Sequence, residues 1–229
     1  AIKTLENEKL GKNGSTDFLA ISFSSTDYVG HNFGPQSIEL EDTYLRLDKD
    51  IAEILTYLDV QYGKDQVLVF LTADHAVAEV PGYANSKKLP GGVFDRNGSI
   101  SDMKKAINQA FGNVDLLVGE ENSQLYFNHS LMTKMGIDSK KLFDVVRKSY
   151  QKQEGFSELV DLLDIPSANL NAQYNQLIIN GYHPARSGDF MILLKPSWFM
   201  GSKTGTTHST LYSYDTHVPL LFYGWKVKP

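Results

Sequence analysis

The chain has 229 residues, a formal net charge of -5, a hydrophobic fraction of 41% and no cysteine, a composition that predicts an ordinary globular chain of one domain or one and a half. No run of about 18 apolar residues supports a membrane span, and the mild acidity argues against nucleic acid as the principal partner. Without cysteine, disulfides and thiolate ligands are excluded, so any transition metal falls to histidine and carboxylate.

The chain opens Ala1-Ile2-Lys3, with neither Met nor a charged-then-apolar leader, and is expected to be a piece of a larger protein rather than a processed one. Residues 16–23, Thr-Asp-Phe-Leu-Ala-Ile-Ser-Phe, read as a buried strand that gives way to a loop through Gly34-Pro35. A long helix follows from Leu40, because Tyr44, Leu47, Ile51, Ile54, Leu55 and Leu58 recur three or four apart and Glu39, Glu41 and Asp42 sit where the helix dipole favours negative charge. Val67–Thr72 is the next strand, so residues 16–72 predict a strand, a crossover helix and a parallel strand, and the class is α/β with a mostly parallel sheet. Residues 81–180 differ in character. They are Gly-rich near Pro90-Gly91-Gly92, helical over Asp102–Ala110 and Ser139–Tyr150, and carry a short strand over Gln124–Phe127. They read as an inserted cap between core segments 1–80 and 181–229. The last segment returns to strands at Asp189–Leu194 and Val218–Tyr223, flanking a small-residue loop from Gly201 to His208.

The chemistry concentrates where strands end. Asp27 and His31 stand four apart, a spacing that reaches one ion from a helical turn or a folded loop, and Asp74-His75 follows the apolar run 67–72. Adjacent residues on a continuing strand would face opposite ways, so only a turn lets Asp74 and His75 serve one site. His208, in a Gly and Thr setting, adds a third imidazole. A lone pair of this kind is most often a helix cap or a satisfied loop pair, but all five fall at strand ends or in Gly-rich turns, and open α/β sheets bind ligands at the carboxyl ends of their strands. Three imidazoles with carboxylates suit zinc better than the all-oxygen shells of magnesium or calcium. Five ligands exceed one zinc, and two ions about 4 Å apart would clamp both oxygens of an in-line phosphoryl displacement.

Other candidates are weaker. His217 precedes a strand and fits an edge or buried role as well as a ligand; His129 and His183 read as surface residues, although His183 with Arg186 could contact an anionic substrate. The run Ser202 to Thr207 lacks the strand–GxxxxGK[ST]–helix context of a P-loop and takes no nucleotide role. Trp198 and Phe199 read as packing.

Three stretches together, Ser25-Thr-Asp-Tyr-Val-Gly-His-Asn-Phe-Gly-Pro35, Leu71-Thr-Ala-Asp-His75 and Gly205-Thr-Thr-His-Ser209, resemble the alkaline phosphatase superfamily, most nearly its phosphate-irrepressible bacterial members beside the type I phosphodiesterase/nucleotide pyrophosphatases. The resemblance implies an alkaline phosphatase-like α/β core with helices on both faces of the sheet and two Zn2+ ions, one on Asp27, His31 and His208 and the other held in part by Asp74 and His75. It implies a phosphate monoester hydrolase acting through a phosphorylated enzyme, with a phosphodiesterase/nucleotide pyrophosphatase as the alternative and a sulfatase disfavoured by the three imidazoles. The hydroxyl nucleophile and a further Asp of the second zinc site have no counterpart in this sequence, so the chain resembles the C-terminal half of the catalytic domain. A reading of another class follows: by itself the chain is a catalytically incompetent metal-binding domain whose partner is the N-terminal half of the same protein. The resemblance further implies a phosphate ester substrate and a periplasmic or secreted location.

Overall fold

The computed structural model describes residues 1–201 and 203–228. In chain order its elements are α1 (Ile2–Asn7), α2 (Ser25–Phe33), α3 (Ile38–Tyr62), β1 (Leu68–Thr72), α4 (Pro81–Ser86), β2 (Gly92–Val93), α5 (Arg96–Phe111), β3 (Leu117–Glu121), β4 (Gln124–Phe127), α6 (His129–Met135), α7 (Ser139–Tyr150), β5 (Phe156–Asp161), α8 (Ala172–Gly181), β6 (Phe190–Leu194), β7 (Trp198–Phe199), α9 (Ser213–Thr216) and β8 (Leu220–Gly224). They form two compact units. The first comprises Ala1–Val77, Thr204–His208 and the chain from Tyr214 onward; the second comprises Ala78–Lys203 with Ser209–Ser213.

In the first unit, α3 starts where Ser37 Oγ accepts a hydrogen bond from the Leu40 amide at 3.2 Å, satisfying one of the four donors that a helix N-terminus leaves open. It ends at Gly63, whose φ of +94° a side chain would strain. Leu40 and Leu58 are buried. β1 pairs antiparallel with β8, in a register running from Leu68 opposite Gly224 to Thr72 opposite Leu220. Tyr223 Oη donates to Asp59 Oδ2 at 2.7 Å, fastening β8 to α3.

Residues 16–23, expected as a buried strand, form no ladder among the described residues, and Phe18 is 75% exposed. A strand exists through its hydrogen-bonded neighbours, and an apolar run cannot supply them by itself. The parallel unit expected over residues 16–72 is accordingly not closed by pairing here. The α/β class stands, but among the described residues the pairings are antiparallel apart from the two-residue parallel contact of β2 with β7.

The second unit is built on the antiparallel sheet β3-β4-β6-β5. Helices α5 and α7 supply Met103, Ile107, Leu142, Val146 and Tyr150 to a core shared with Leu125, Phe190 and Ile192. On α7 the buried positions 142, 146 and 150 recur every four residues, the period of a helix with one apolar face. Arg147 makes a two-pronged ion pair with Glu158 of β5 at 2.9 and 3.1 Å. Trp198 lies over Gly92 and Gly155, where an added Cβ would fall within 2.6 and 2.1 Å of its ring.

Candidate metal centre

All five residues singled out at strand ends belong to the first unit. Asp27 and His31 lie one turn apart on α2, so both side chains leave the same face of the helix. The helix is docked by its histidine: the His31 carbonyl accepts from the Thr206 amide at 3.1 Å, and His31 Nδ1 lies 2.9 Å from the Thr206 carbonyl oxygen. A carbonyl only accepts, so Nδ1 carries the proton and the lone pair of His31 is on Nε2. His75, just past β1, is fixed the same way. Its Nδ1 donates to the Ala76 carbonyl at 2.9 Å, and the Ala76 amide donates to the Asp215 carbonyl at 2.8 Å.

Three imidazoles face one carboxylate. The Nε2 atoms of His31, His75 and His208 lie 3.3, 3.6 and 3.9 Å from Asp27 Oδ1. His75 and His208 stack with centroids 3.4 Å apart, and His31 is tilted against His208 at 5.1 Å. Burial lowers the proton affinity of His208, and His75 and His31 lower it further, while Asp27 and Asp215 oppose them. The ring is thereby held toward its neutral form, the form that ligates a metal. Ligand atoms of Asp27, His75 and His208 all lie within 4.8 Å of one another, a grouping that could hold an ion. Inward lone pairs on imidazoles beside a carboxylate are the N and O donor set that zinc accepts. Asp74 sits at the margin, its side chain 91% exposed and its Oδ1 3.9 Å from His75 Nε2.

The remaining candidates have local roles. His129 pairs with Asp189 at 2.6 Å, His183 Nδ1 accepts from the Ala185 amide, and the Arg186 carbonyl accepts from Tyr126 Oη. In the loop before His208, Ser202 lies outside the described residues; Phe199 is buried and Trp198 packs on the core of the second unit. Two residues escaped the sequence reading. Thr206 acts through its backbone, which no side-chain signature reveals, and Asp215 is a carboxylate only 3% exposed, whose sole mark in the sequence is its place shortly before the last strand.

Residues 2–218 match the model of the family described as type I phosphodiesterase / nucleotide pyrophosphatase. The chain is 41% identical to a protein of Myroides odoratus named calcium-transporting ATPase, covering 100% of this chain and 42% of that one. It is 39% identical to alkaline phosphatase PafA of Elizabethkingia meningoseptica over 98% of the chain and 41% of that protein, and 42% identical to alkaline phosphatase PhoV of Synechococcus elongatus over 97% and 40%. The crystal structure of wild-type alkaline phosphatase PafA superposes with a TM-score of 0.93 at 38% identity, covering 100% of this chain and 44% of that one. The chain thus spans about two-fifths of the length of these relatives.

Proposed function

Because the chain belongs to the type I phosphodiesterase / nucleotide pyrophosphatase family, within the alkaline phosphatase superfamily, we propose that the whole protein hydrolyses phosphate monoesters at a two-zinc centre to which this chain contributes Asp27, His31, Asp74, His75 and His208. The observation that carries the reading is the convergence of three imidazole Nε2 atoms within 3.9 Å of Asp27 Oδ1. Asp27, His31 and His208 would hold one ion, and Asp74 and His75 would contribute to the other. When bound, zinc supplies Lewis-acid stabilisation of the charge that develops on phosphoryl and leaving-group oxygens.

The chain's own residues prepare that chemistry. The Thr206 and Ala76 carbonyls hold the protons of His31 and His75 on Nδ1, so both rings offer Nε2 without rearrangement. Asp27 concentrates negative charge between them. In the proposed reaction a protein hydroxyl takes the phosphoryl group as the alcohol departs with a proton, and water then releases phosphate and restores the hydroxyl. That hydroxyl is assigned to a portion of the protein outside this chain, in keeping with the two-fifths of its relatives that the chain spans. By itself the chain would then be a metal-binding domain without turnover, completed by the N-terminal half. A periplasmic or secreted location belongs to the same proposal. Among the described residues no helix is long and apolar enough to cross a membrane.

A phosphodiesterase is the second reading, favoured by the family whose model matches residues 2–218. Assaying the intact protein against a phosphate monoester, a phosphodiester and ATP separates the two by the ratio of their kcat/KM values. His208→Ala in the intact protein is expected to lower kcat by about 10²–10³-fold and to reduce bound zinc. A variant that keeps its full zinc and full rate would remove His208 from the site.

A further inference from the structure

The dipeptide Asn-Gly occurs three times, at residues 13–14, 97–98 and 180–181, and the first two continue alike as Asn-Gly-Ser. In this dipeptide the glycine amide nitrogen can attack the asparagine side-chain carbonyl carbon, since no Cβ on the glycine hinders the approach. All three asparagines are exposed, so access to water does not separate them, whereas the engagement of the glycine amide does. Among the described residues the Gly14 amide, outside any helix or strand, donates no hydrogen bond, and a Cβ built on Gly14 would meet nothing within 4 Å. The Gly98 amide, in the first turn of α5, donates to Asp95 Oδ1 at 3.0 Å. Gly181 lies in α8, whose amides belong to the helical ladder.

The loop also prepares the carbonyl that is attacked. The Ser15 amide donates to Asn13 Oδ1 at 2.9 Å, where negative charge gathers as the carbon becomes tetrahedral. Asn13 Nδ2 is turned to the Asp17 carboxylate, 3.4 Å from Oδ2. Asn180 Oδ1 also accepts a hydrogen bond, from Gln176 at 2.8 Å, but the nitrogen that would attack it is held in the helix. We propose that Asn13 is a site of spontaneous deamidation in the folded protein, and that Asn97 and Asn180 are protected by their helices. Gly14 N gives its proton to solvent base and bonds to Asn13 Cγ; the Cγ–Nδ2 bond breaks and ammonia departs with a proton from water, leaving a succinimide ring. Water then opens the ring at either carbonyl, giving aspartate or isoaspartate. Nothing is oxidised or reduced, and a neutral amide facing Asp17 becomes a second carboxylate.

The test ages the intact protein in mildly alkaline buffer, with and without urea, and follows each asparagine by peptide mapping for aspartate and isoaspartate. In the folded protein Asn97 converts about 10–100-fold more slowly than Asn13, the factor that releasing one charge-assisted hydrogen bond imposes on a rate. Asn180 is slower than Asn13 as well. In urea Asn13 and Asn97 converge, because the two tripeptides are the same. Asp95→Ala removes the side-chain partner of the Gly98 amide, one of the donors that a helix N-terminus leaves open. It raises the Asn97 rate toward that of Asn13 and leaves Asn13 unmoved. Equal conversion at residues 13 and 97 in the folded protein overturns the proposal, as does faster conversion at 97 or 180. A difference that persists undiminished in urea also overturns it, since the fold is then not its cause. An Asn97 rate that Asp95→Ala does not move overturns the protection assigned to the Gly98 hydrogen bond, and if that variant fails to fold, the urea comparison decides alone.

Discussion

At the scale of single residues, the cluster is organised by which ring nitrogen is already engaged. His31 and His75 each give Nδ1 to a backbone carbonyl, so the tautomer and orientation of both rings are set by the chain itself. His208 is governed instead by its surroundings: burial, then His75 and His31, hold its proton affinity below the ordinary 6.5. The sign of the consequence follows from linkage. Where the folded value lies below the unfolded one, the unfolded chain takes up the proton first. Stability from this group is therefore complete above about pH 6.5 and falls as pH drops from there toward the folded value. With chelator present, the melting temperature should decline as the pH falls below about 6.5, ahead of the carboxylate titrations, whose unperturbed values lie near 4. Melting that stays level across this window would contradict the lowered proton affinity.

At the scale of elements, the helices follow from local rules that a sequence displays. Ser37, Asp95, Asn128, Asp138 and Asn171 each cap a helix with a side-chain oxygen, and α7 coincides with the stretch Ser139–Tyr150 expected to be helical. Strands obey no such local rule. β4 and β6 agree with their apolar runs, whereas β3 (Leu-Val-Gly-Glu-Glu) and β5 (Phe-Ser-Glu-Leu-Val-Asp) carry Gly or charge and become strands by pairing with β4 and β6. Residues 16–23 show the converse, an apolar run with no ladder. One glycine decides how the end of β7 packs: Gly155 has φ +84°, and a Cβ there would meet Trp198 Cε3 at 2.1 Å. Gly155→Ala should cost on the order of 2–4 kcal/mol through backbone strain and overpacking, read as a lower melting temperature. A change below about 0.5 kcal/mol would mean that the Trp198 ring is free to move aside.

At the scale of the molecule, the two units differ in how well they cover their own apolar surface. The second buries its apolar side chains in two clusters, the larger around Met103, Leu142 and Phe190 and the smaller around Val160 and Ile178. In the first, Leu68 and Phe70 of β1 and Leu220, Leu221 and Phe222 of β8 are between 46% and 61% exposed, and they occupy successive and alternate positions, so both faces of the ribbon are apolar. A two-stranded ribbon is marginal unless packed on other elements. The chain of residues 1–229 purified alone should therefore bind a hydrophobic dye such as ANS and associate with itself, and the intact protein should do neither. A monomeric chain with no dye enhancement would mean that the first unit covers this surface unaided.

The sequence by itself determined what is local or compositional. The motifs that carry the family, the α/β class and the long helix α3 are legible, as are Asp27, His31, Asp74, His75 and His208 as candidates, because side-chain chemistry and helical periodicity are written in residue identity and short spacing. Tertiary structure decided what depends on residues far apart in the chain: that Thr206 sets the tautomer of His31 across 175 positions, that Asp215 grips Ala76, and that β1 takes β8 as its antiparallel neighbour. Backbone carbonyls and strand partners carry no side-chain signature, so only the folded path of the chain reveals them.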